Sequence, residues 1–468
     1  MISTEELEKF HPEKYPRNDI GTSNLFATVW GSVPVYVTER KGFFVYDGKV
    51  WKKDIDDLQT HELAKEFVLS IIEYFAQKNT DNEAIFKYYS SYLQIDKRCK
   101  LIKDVKSVIS MSADKFDTQP YFINCLNCTV NIATGDVHQH EPADFLTKIA
   151  NVWYDPDAKS KEFENFIKSI MQEDTSLISY LQRALGYSIS GATFQECFFI
   201  TYGATTRNGK GTLNNTMIHM LGDYAKTAPY EVFESKKYKS SGGASEELAR
   251  LAGSRYVSVS EPSEDMVLNS ALIKTLSGND RITARYLYEN SFEFTASFKL
   301  WINTNHLPSI PDDTVFKSGR VQLIPFNRHF KQSEQDRGLK ARLTERENIS
   351  GAFNWCMKGF QLMAAEGGLS VPECIREEIE KYREANDRIG EFINDCFIVE
   401  DIDKKSKVKF SEVYKIYQNW CKDSGYRAMN KKNLKSKMQD RVMIESYRGQ
   451  DQLFGYSIEP DIPKEWLQ

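Results

Sequence analysis

Tyr202-Gly203-Ala204-Thr205-Thr206-Arg207-Asn208-Gly209-Lys210-Gly211-Thr212 carries the first strong structural signal in the chain. Before it stands Cys197-Phe198-Phe199-Ile200-Thr201, a compact apolar run that stops at a glycine, as a buried strand does. After it the pattern predicts a helix from about Thr212 to Leu221. Strand, glycine loop and helix start, in that order, make a phosphate-binding loop. Glycines let backbone N–H groups approach phosphate oxygens, and the helix N-terminus adds positive potential. A lysine neutralises the β/γ charge of ATP, and a hydroxyl helps hold Mg²⁺. Gly203, Asn208, Gly209, Lys210, Gly211 and Thr212 are therefore the predicted ATP-binding set. The strict spacing is not met. Gly203 lies one residue too far upstream, and Gly211 replaces the hydroxyl residue directly after the lysine, so the Mg²⁺ role falls to Thr212. A plain Gly-rich turn is the alternative.

Three further strands are predicted at Tyr256–Ser260, Phe298–Ile302 and Val321–Pro325, interleaved with helices. That interleaving implies an α/β layer architecture. An ATP hydrolysis site also needs a carboxylate beside the γ-phosphate. Arg255-Tyr256-Val257-Ser258-Val259-Ser260-Glu261 supplies one at a strand end, where α/β sheets bind ligands. Glu261 is the predicted catalytic acid and second Mg²⁺ contact. Lys299-Leu300-Trp301-Ile302-Asn303-Thr304-Asn305 ends in amides, and Asn305 is the predicted polar sensor. Arg320, just before the next strand, is the candidate arginine finger. Strand-end capping or a surface ion pair is the bland alternative for each.

The rest of the chain divides by texture. Residues 1–155 read as an N-terminal α+β domain, with hairpins around Asp47-Gly48 and Thr134-Gly135. Residues 156–195 read as a helical lead-in, 196–335 as the ATPase core, 336–390 as a helical segment and 391–468 as a last compact unit. In that unit Ser411 is expected to cap a helix carrying Val413, Ile416, Tyr417 and Trp420 on one face. A lysine-rich second helix follows, with Lys431, Lys432, Lys435 and Lys437. Arg441–Tyr447 and Phe454–Ile458 then read as a β-hairpin around a polar turn. Helix, turn, basic helix and hairpin predict a winged helix that meets DNA phosphates.

Composition agrees once the charge is divided. The 468 residues carry 61 Lys+Arg against 66 Asp+Glu, a net of −5. Residues 404–448 hold thirteen Lys+Arg and four Asp+Glu, a net of +9, which leaves −14 elsewhere. The mild overall acidity therefore does not exclude nucleic acid. No window approaches a transmembrane length, and the start has no signal-peptide pattern, so a cytoplasmic protein with reduced thiols is expected. Cys125-Leu126-Asn127-Cys128 has zinc-like spacing without a second pair and is read as ordinary thiols. His138 and His140 are expected to share a strand face, with no nearby acid to complete a catalytic or metal set.

The ordered set after residue 260 resembles one family. Glu261-Pro262, Asn269 to Lys274, Gly278-Asn279-Asp280, Ala284 to Tyr288, Phe292-Glu293-Phe294, Phe298 to Trp301, Thr304 to Pro308 and Ile324-Pro325-Phe326 come in one run. This resembles the superfamily III helicase domain of the phage/plasmid primase-helicase family, which includes poxvirus-type primase-helicases. The resemblance spans roughly residues 19 to 460 and is most specific between 200 and 330. It implies an AAA+-like P-loop ATPase core. It implies Lys210 and Thr212 for nucleotide and Mg²⁺, Glu261 as the Walker B acid, Asn305 as the sensor and Arg320 as the finger. It implies a DNA-gripping hairpin within Lys274 to Tyr288, for which Lys274 and Arg285 are the candidate contacts. It further implies a homo-oligomer, a hexameric ring moving 3′→5′ on single-stranded DNA at a fork. With no room for an N-terminal primase domain before residue 19, a separate primase is expected.

The predicted function is thus an ATP-driven replicative DNA helicase of a phage or mobile element in a bacterial cytoplasm. The competing expectations are an ATP-dependent origin-binding initiator that does not unwind processively, and a small-molecule kinase.

Overall fold

The structure is a computed structural model of the 468-residue chain. It describes residues 1–467 except 32, 79–82, 236–242, 260–261, 264, 288–290, 401–405 and 427. The chain forms two compact units. One comprises Met1–Pro308 with Lys317–Arg376, and the other Ser309–Phe316 with Glu377–Gln468. This division differs from the sequence-based one. Residues 309–316 leave the middle of the chain to join the C-terminal unit, which begins inside the helix Glu373–Ala385. Two contacts explain the exchange: Arg383 Nε is 2.6 Å from Asp313 Oδ1, and the Phe316 and Tyr382 rings meet edge to face at 5.1 Å.

The larger unit is built on five parallel strands: β1 Phe198–Tyr202, β2 Ala225–Ala228, β3 Tyr256–Val259, β4 Lys299–Thr304 and β5 Val321–Pro325. Their order across the sheet is β5-β1-β4-β3-β2. A parallel sheet is covered on both faces, so its strands are apolar throughout. β3 and β5 are buried along their whole length, and β1 except at Tyr202. β2, with Lys226 and Thr227, is one of the two edge strands, β5 being the other.

One face of this sheet grades from apolar to polar towards the C-terminal ends of its strands. Trp301 stacks on Phe199 at 4.5 Å and on Tyr256 at 5.5 Å between ring centroids. One step further, Thr201 Oγ1 donates to Asn303 Oδ1 at 2.7 Å, and Asn303 Nδ2 donates to Ser258 Oγ at 3.2 Å. A half-buried amide is tolerated when its hydrogen bonds are made. Here Asn303 spends them on tying β1, β4 and β3 together just below the strand ends.

The opposite strand ends are held by buried cations. Lys299 donates to Ser190 O at 2.7 Å, with the Tyr187 ring 4.3 Å away. Arg255 donates to Ile189 O at 3.1 Å and to Phe122 O at 2.5 Å. Burial pushes both groups below their ordinary pKa ranges, Lys299 far below. These bonds fasten the helix Thr175–Ile189 and the N-terminal region to the sheet. In that region the strand Gly42–Tyr46 pairs with Trp51–Lys53, and Thr129–Asn131 with Val137–His138, as the two expected hairpins.

The smaller unit packs the helices Arg388–Cys396, Phe410–Asp423 and Lys431–Gln439 on short antiparallel strands around Phe392, Tyr417, Trp420, Leu434 and Leu453. Two local expectations are corrected. Ser411 is not the cap: the helix begins at Phe410, straight out of the strand Lys407–Lys409, and its N-cap position is Lys409. Asn430 does cap the next helix, accepting from Asn433 N–H at 2.9 Å. The expected hairpin also splits. Ile444–Tyr447 pairs with Gln450–Phe454 around a two-residue turn, whereas Tyr456–Ile458 pairs with Phe397–Val399. Arg448 and Gly449 both have positive φ, 52° and 76°, which is what so tight a turn requires.

Candidate functional site

β1 ends at Tyr202, and the loop 203–209 leads into the helix Lys210–Leu221. Two glycines are fixed by the loop itself. A Cβ on Gly203 would lie 2.4 Å from Asn208 Nδ2 and 2.6 Å from Phe326 O. Gly209 has φ +91°, and a Cβ there would meet Ile170 Cγ2 at 2.4 Å. Asn208, buried, folds back on the loop: its Nδ2 donates to Thr205 O at 2.7 Å. From outside, Phe330 N–H donates to Arg207 O at 2.9 Å, and His329 Nδ1 lies 2.9 Å from Thr206 O. The helix therefore starts at Lys210, two residues earlier than the sequence pattern predicts.

Lys210 is 7% exposed. Its ammonium donates to Asn305 Oδ1 at 2.6 Å, Thr304 O at 2.7 Å and Gly203 O at 3.2 Å. The structure thus brings the loop lysine and the predicted sensor into direct contact, across the ends of β1 and β4. Glu261, the predicted acid, lies outside the described residues. Thr212 is half-buried on the first turn of the helix, with its N–H donating to Gly209 O at 3.1 Å.

A cleft of about 960 Å³ opens beside this point. Asn208, Gly209, Gly211 and Thr212 form one wall, Phe166 of the helix Lys161–Ile170 another, and Phe330 and Gln335 a third. Its rim is pinned by Arg342, which pairs with Glu162 at 2.6 Å and with Asp336. The Arg342 guanidinium holds the Asp336 carboxyl below its ordinary pKa. A Cβ on Gly211 would meet nothing within 4 Å. Gly211→Ala is therefore expected to raise unfolding free energy by about 0.5–1 kcal/mol, the usual gain for a helix position. Thermal denaturation without nucleotide checks this, and a fall in stability would contradict the open space.

Arg320 sits at the other end of the sheet. Phe198 N–H donates to Arg320 O at 2.9 Å, and β1 and β5 then run in register from Val321↔Phe198 to Pro325↔Tyr202. Strand rise puts its backbone roughly 16 Å from the loop. Its guanidinium is held within the chain, by Glu196 Oε2 at 2.6 Å, Glu196 O at 3.2 Å and Ser277 Oγ at 2.9 Å. Nothing in the sequence pattern marks Glu196 as its partner.

Lys274 is half-exposed on the helix Ser270–Ser277, and Arg285 is exposed at the end of the strand Arg281–Arg285. That strand pairs antiparallel with Ser291–Thr295, so its partner lies beyond the Lys274-to-Tyr288 segment in which the resemblance places a hairpin. An unexpected residue braces this strand pair: the Arg40 guanidinium lies 4.4 Å from the Phe292 ring centroid and 5.4 Å from that of Tyr286. In the C-terminal unit Lys431 and Lys432 are exposed at a helix start. Lys435 is paired with Asp451 at 2.6 Å, and Lys437 Nζ reaches Pro311 O at 3.5 Å.

Among the described residues no group of three or more His, Cys, Asp or Glu could hold a metal ion, and no helix is long and apolar enough to cross a membrane. Cys125 and Cys128 are buried and close a tight turn, Cys125 N–H donating to Cys128 O at 2.8 Å. His138 has one acid partner, its Nε2 lying 2.8 Å from Asp144 Oδ2.

Comparison with known proteins finds D5-like relatives. Residues 24–172 match the family described as D5 N terminal like, and residues 384–466 the family described as Poxvirus D5 protein-like. The chain is 28% identical over 346 residues to the candidate helicase L207/L206 of Acanthamoeba polyphaga mimivirus, and 31% identical over 169 residues to the candidate helicase 022R of Frog virus 3. The chain thus resembles D5-like primase-helicases at both its ends. The match takes in 70% of this D5-like chain but 36% of the mimivirus protein, and 35% of the chain but 17% of the frog-virus protein. The chain therefore spans about a third or less of the length of these relatives. Among solved structures, the NrS-1 C-terminal region aligns at a TM-score of 0.47 and 9% identity, covering 90% of this chain and 95% of that one.

Proposed function

We propose that the larger unit is an ATP-driven DNA helicase motor of the superfamily III, AAA+-like type, assembled as a ring. The observation that carries this is the contact of Lys210 with Asn305 at the C-terminal ends of β1 and β4, beside the cleft. Ligands of open α/β sheets bind outside these strand ends. A lysine and an amide converging beside a helix N-terminus suit a triphosphate's charge. Two features of the cleft wall support Mg²⁺–ATP: Thr212 offers a hydroxyl, and Gly211 leaves backbone open on the cleft side. Mg²⁺, when bound, would neutralise β/γ-phosphate charge. Lys210 would hold the γ-phosphate, Asn305 would orient Lys210 and the attacking water, and Glu261 would take that water's proton.

Arg320 is too far from its own loop to serve its own site. We assign it to a neighbour's, as the finger that makes hydrolysis depend on ring assembly. The hairpin 281–295 would follow the strand, with Lys274 and Arg285 towards phosphates. The smaller unit reads as a winged helix that meets DNA through Lys431 and Lys432. Travel is assigned as 3′→5′, in replication of a viral or mobile-element genome.

A 3′-tailed fork tests this. ATP-dependent displacement of its labelled strand is expected. Hydrolysis without displacement would sink the helicase assignment in favour of an origin-binding initiator.

A further inference from the structure

The small sheet of the C-terminal unit has an outer face that its core does not use. Pairing register sets the faces: Lys407 lies opposite Phe454, Lys409 and Glu445 opposite Gln452, and Tyr447 opposite Gln450. Val408, Leu453 and Ile444 are buried in the core, so alternation turns Lys407, Lys409, Phe454 and Tyr447 outwards. Tyr447 is 39% exposed. The Lys407 ammonium stands between the two rings, 3.7 Å from the Tyr447 centroid and 5.1 Å from that of Phe454. The Arg448 guanidinium lies 5.3 Å from the Tyr447 ring, held there by the tight turn.

We propose that this face is a stacking platform for single-stranded nucleic acid. Unpaired bases would lie on Tyr447 and Phe454, and Lys407, Lys409 and Arg448 would take the phosphates. Among the described residues of these strands and their turn, Lys407, Lys409 and Arg448 stand with one carboxylate, Glu445, on this side, so the surface suits a polyanion. The rings decide which one. A duplex keeps its base faces stacked inside and offers only phosphates and groove edges. An unpaired strand offers base faces, and aromatic side chains bind those without sequence preference. An exposed cation–π contact is weaker than a base stacked on the same ring. Lys407 can therefore exchange its two rings for a phosphate and leave both to bases. This surface is separate from the start of the helix Lys431–Gln439, which offers lysines without rings. The proposal rests on the preceding section only for the partner being nucleic acid.

The test uses the full chain without nucleotide. A single strand of about 20 nucleotides carrying 5-bromodeoxyuridine is cross-linked by light, and adducts are mapped by mass spectrometry. Adducts are expected within 444–454 or at 407–409. In fluorescence anisotropy, Tyr447→Ala combined with Phe454→Ala is expected to weaken single-strand binding about tenfold, the equivalent of about 1.4 kcal/mol, with duplex binding changed less than about twofold. Tyr447→Phe keeps the ring and should bind as the unaltered chain does. Absence of adducts from both segments of the unaltered chain overturns the proposal, whatever the variants do. So does an equal loss on single strand and duplex, which would mark a surface that meets phosphates alone. ATP turnover is not read, so failure here leaves the motor assignment standing.

Discussion

Lys210→Ala is expected to lower ATP turnover by about a thousandfold or more, because single electrostatic donors in such sites are worth 10²–10³ and this one holds the sensor as well. The ammonium donates to Asn305 Oδ1, Thr304 O and Gly203 O at the focus of the site. Removing it leaves buried acceptors without that donor, at a cost on the order of 1–3 kcal/mol of stability. The loss must therefore be separated from unfolding. Asn305→Ala provides the separation, since it leaves Lys210 its two carbonyls and touches no buried strand. It should lower turnover about a hundredfold with little change in unfolding temperature. Both measurements are steady-state phosphate release with a melting curve alongside. Survival of turnover in Lys210→Ala would move the nucleotide elsewhere. DNA binding by the smaller unit should persist in both variants.

The core of this arrangement is legible in the sequence because parallel strands are buried on both faces and read as short apolar runs. β1, β3, β4 and β5 are visible for that reason. β2 is not: Ala225-Lys226-Thr227-Ala228 is a polar edge strand, and only pairing with β3 defines it. Lys210 and Asn305 are each legible from their place after a buried strand. Their contact is not, because 95 residues separate them and only the strand order β5-β1-β4-β3-β2 puts β1 beside β4. Asn303 reads as one more strand-end amide, whereas its work is to join three strands. In the C-terminal unit, net charge marks a basic helix but says nothing of which lysines are spent internally. Lys435 is spent on Asp451, a residue of the hairpin beyond it. Ser411 misleads because capping statistics assume a loop before the helix, and here a strand runs directly into it.

Arg320→Ala is expected to lower turnover by about a thousandfold in the assembled protein, the range set by arginine fingers elsewhere. A purely structural role would predict something else. Arg320 closes an ion pair with Glu196 and a hydrogen bond to Ser277, joining the start of β5 to the helix that precedes the hairpin. Glu196→Gln breaks that ion pair while leaving the guanidinium in place. If Arg320 matters through the pair, the two variants should fail alike. If it acts on a neighbour's nucleotide, Glu196→Gln should keep most of its turnover, since a half-exposed pair is worth only about 0–1 kcal/mol. Mixing then tests the neighbour directly. Arg320→Ala subunits keep an intact loop and acid, and Glu261→Gln subunits keep an intact finger. In a head-to-tail ring each site takes its halves from two subunits, so an equal random mixture restores about a quarter of the sites. Turnover near a quarter of the unaltered protein is expected from two preparations that are inactive alone. No recovery on mixing, with subunit exchange confirmed by a labelled chain, would place Arg320 in the scaffold of its own subunit.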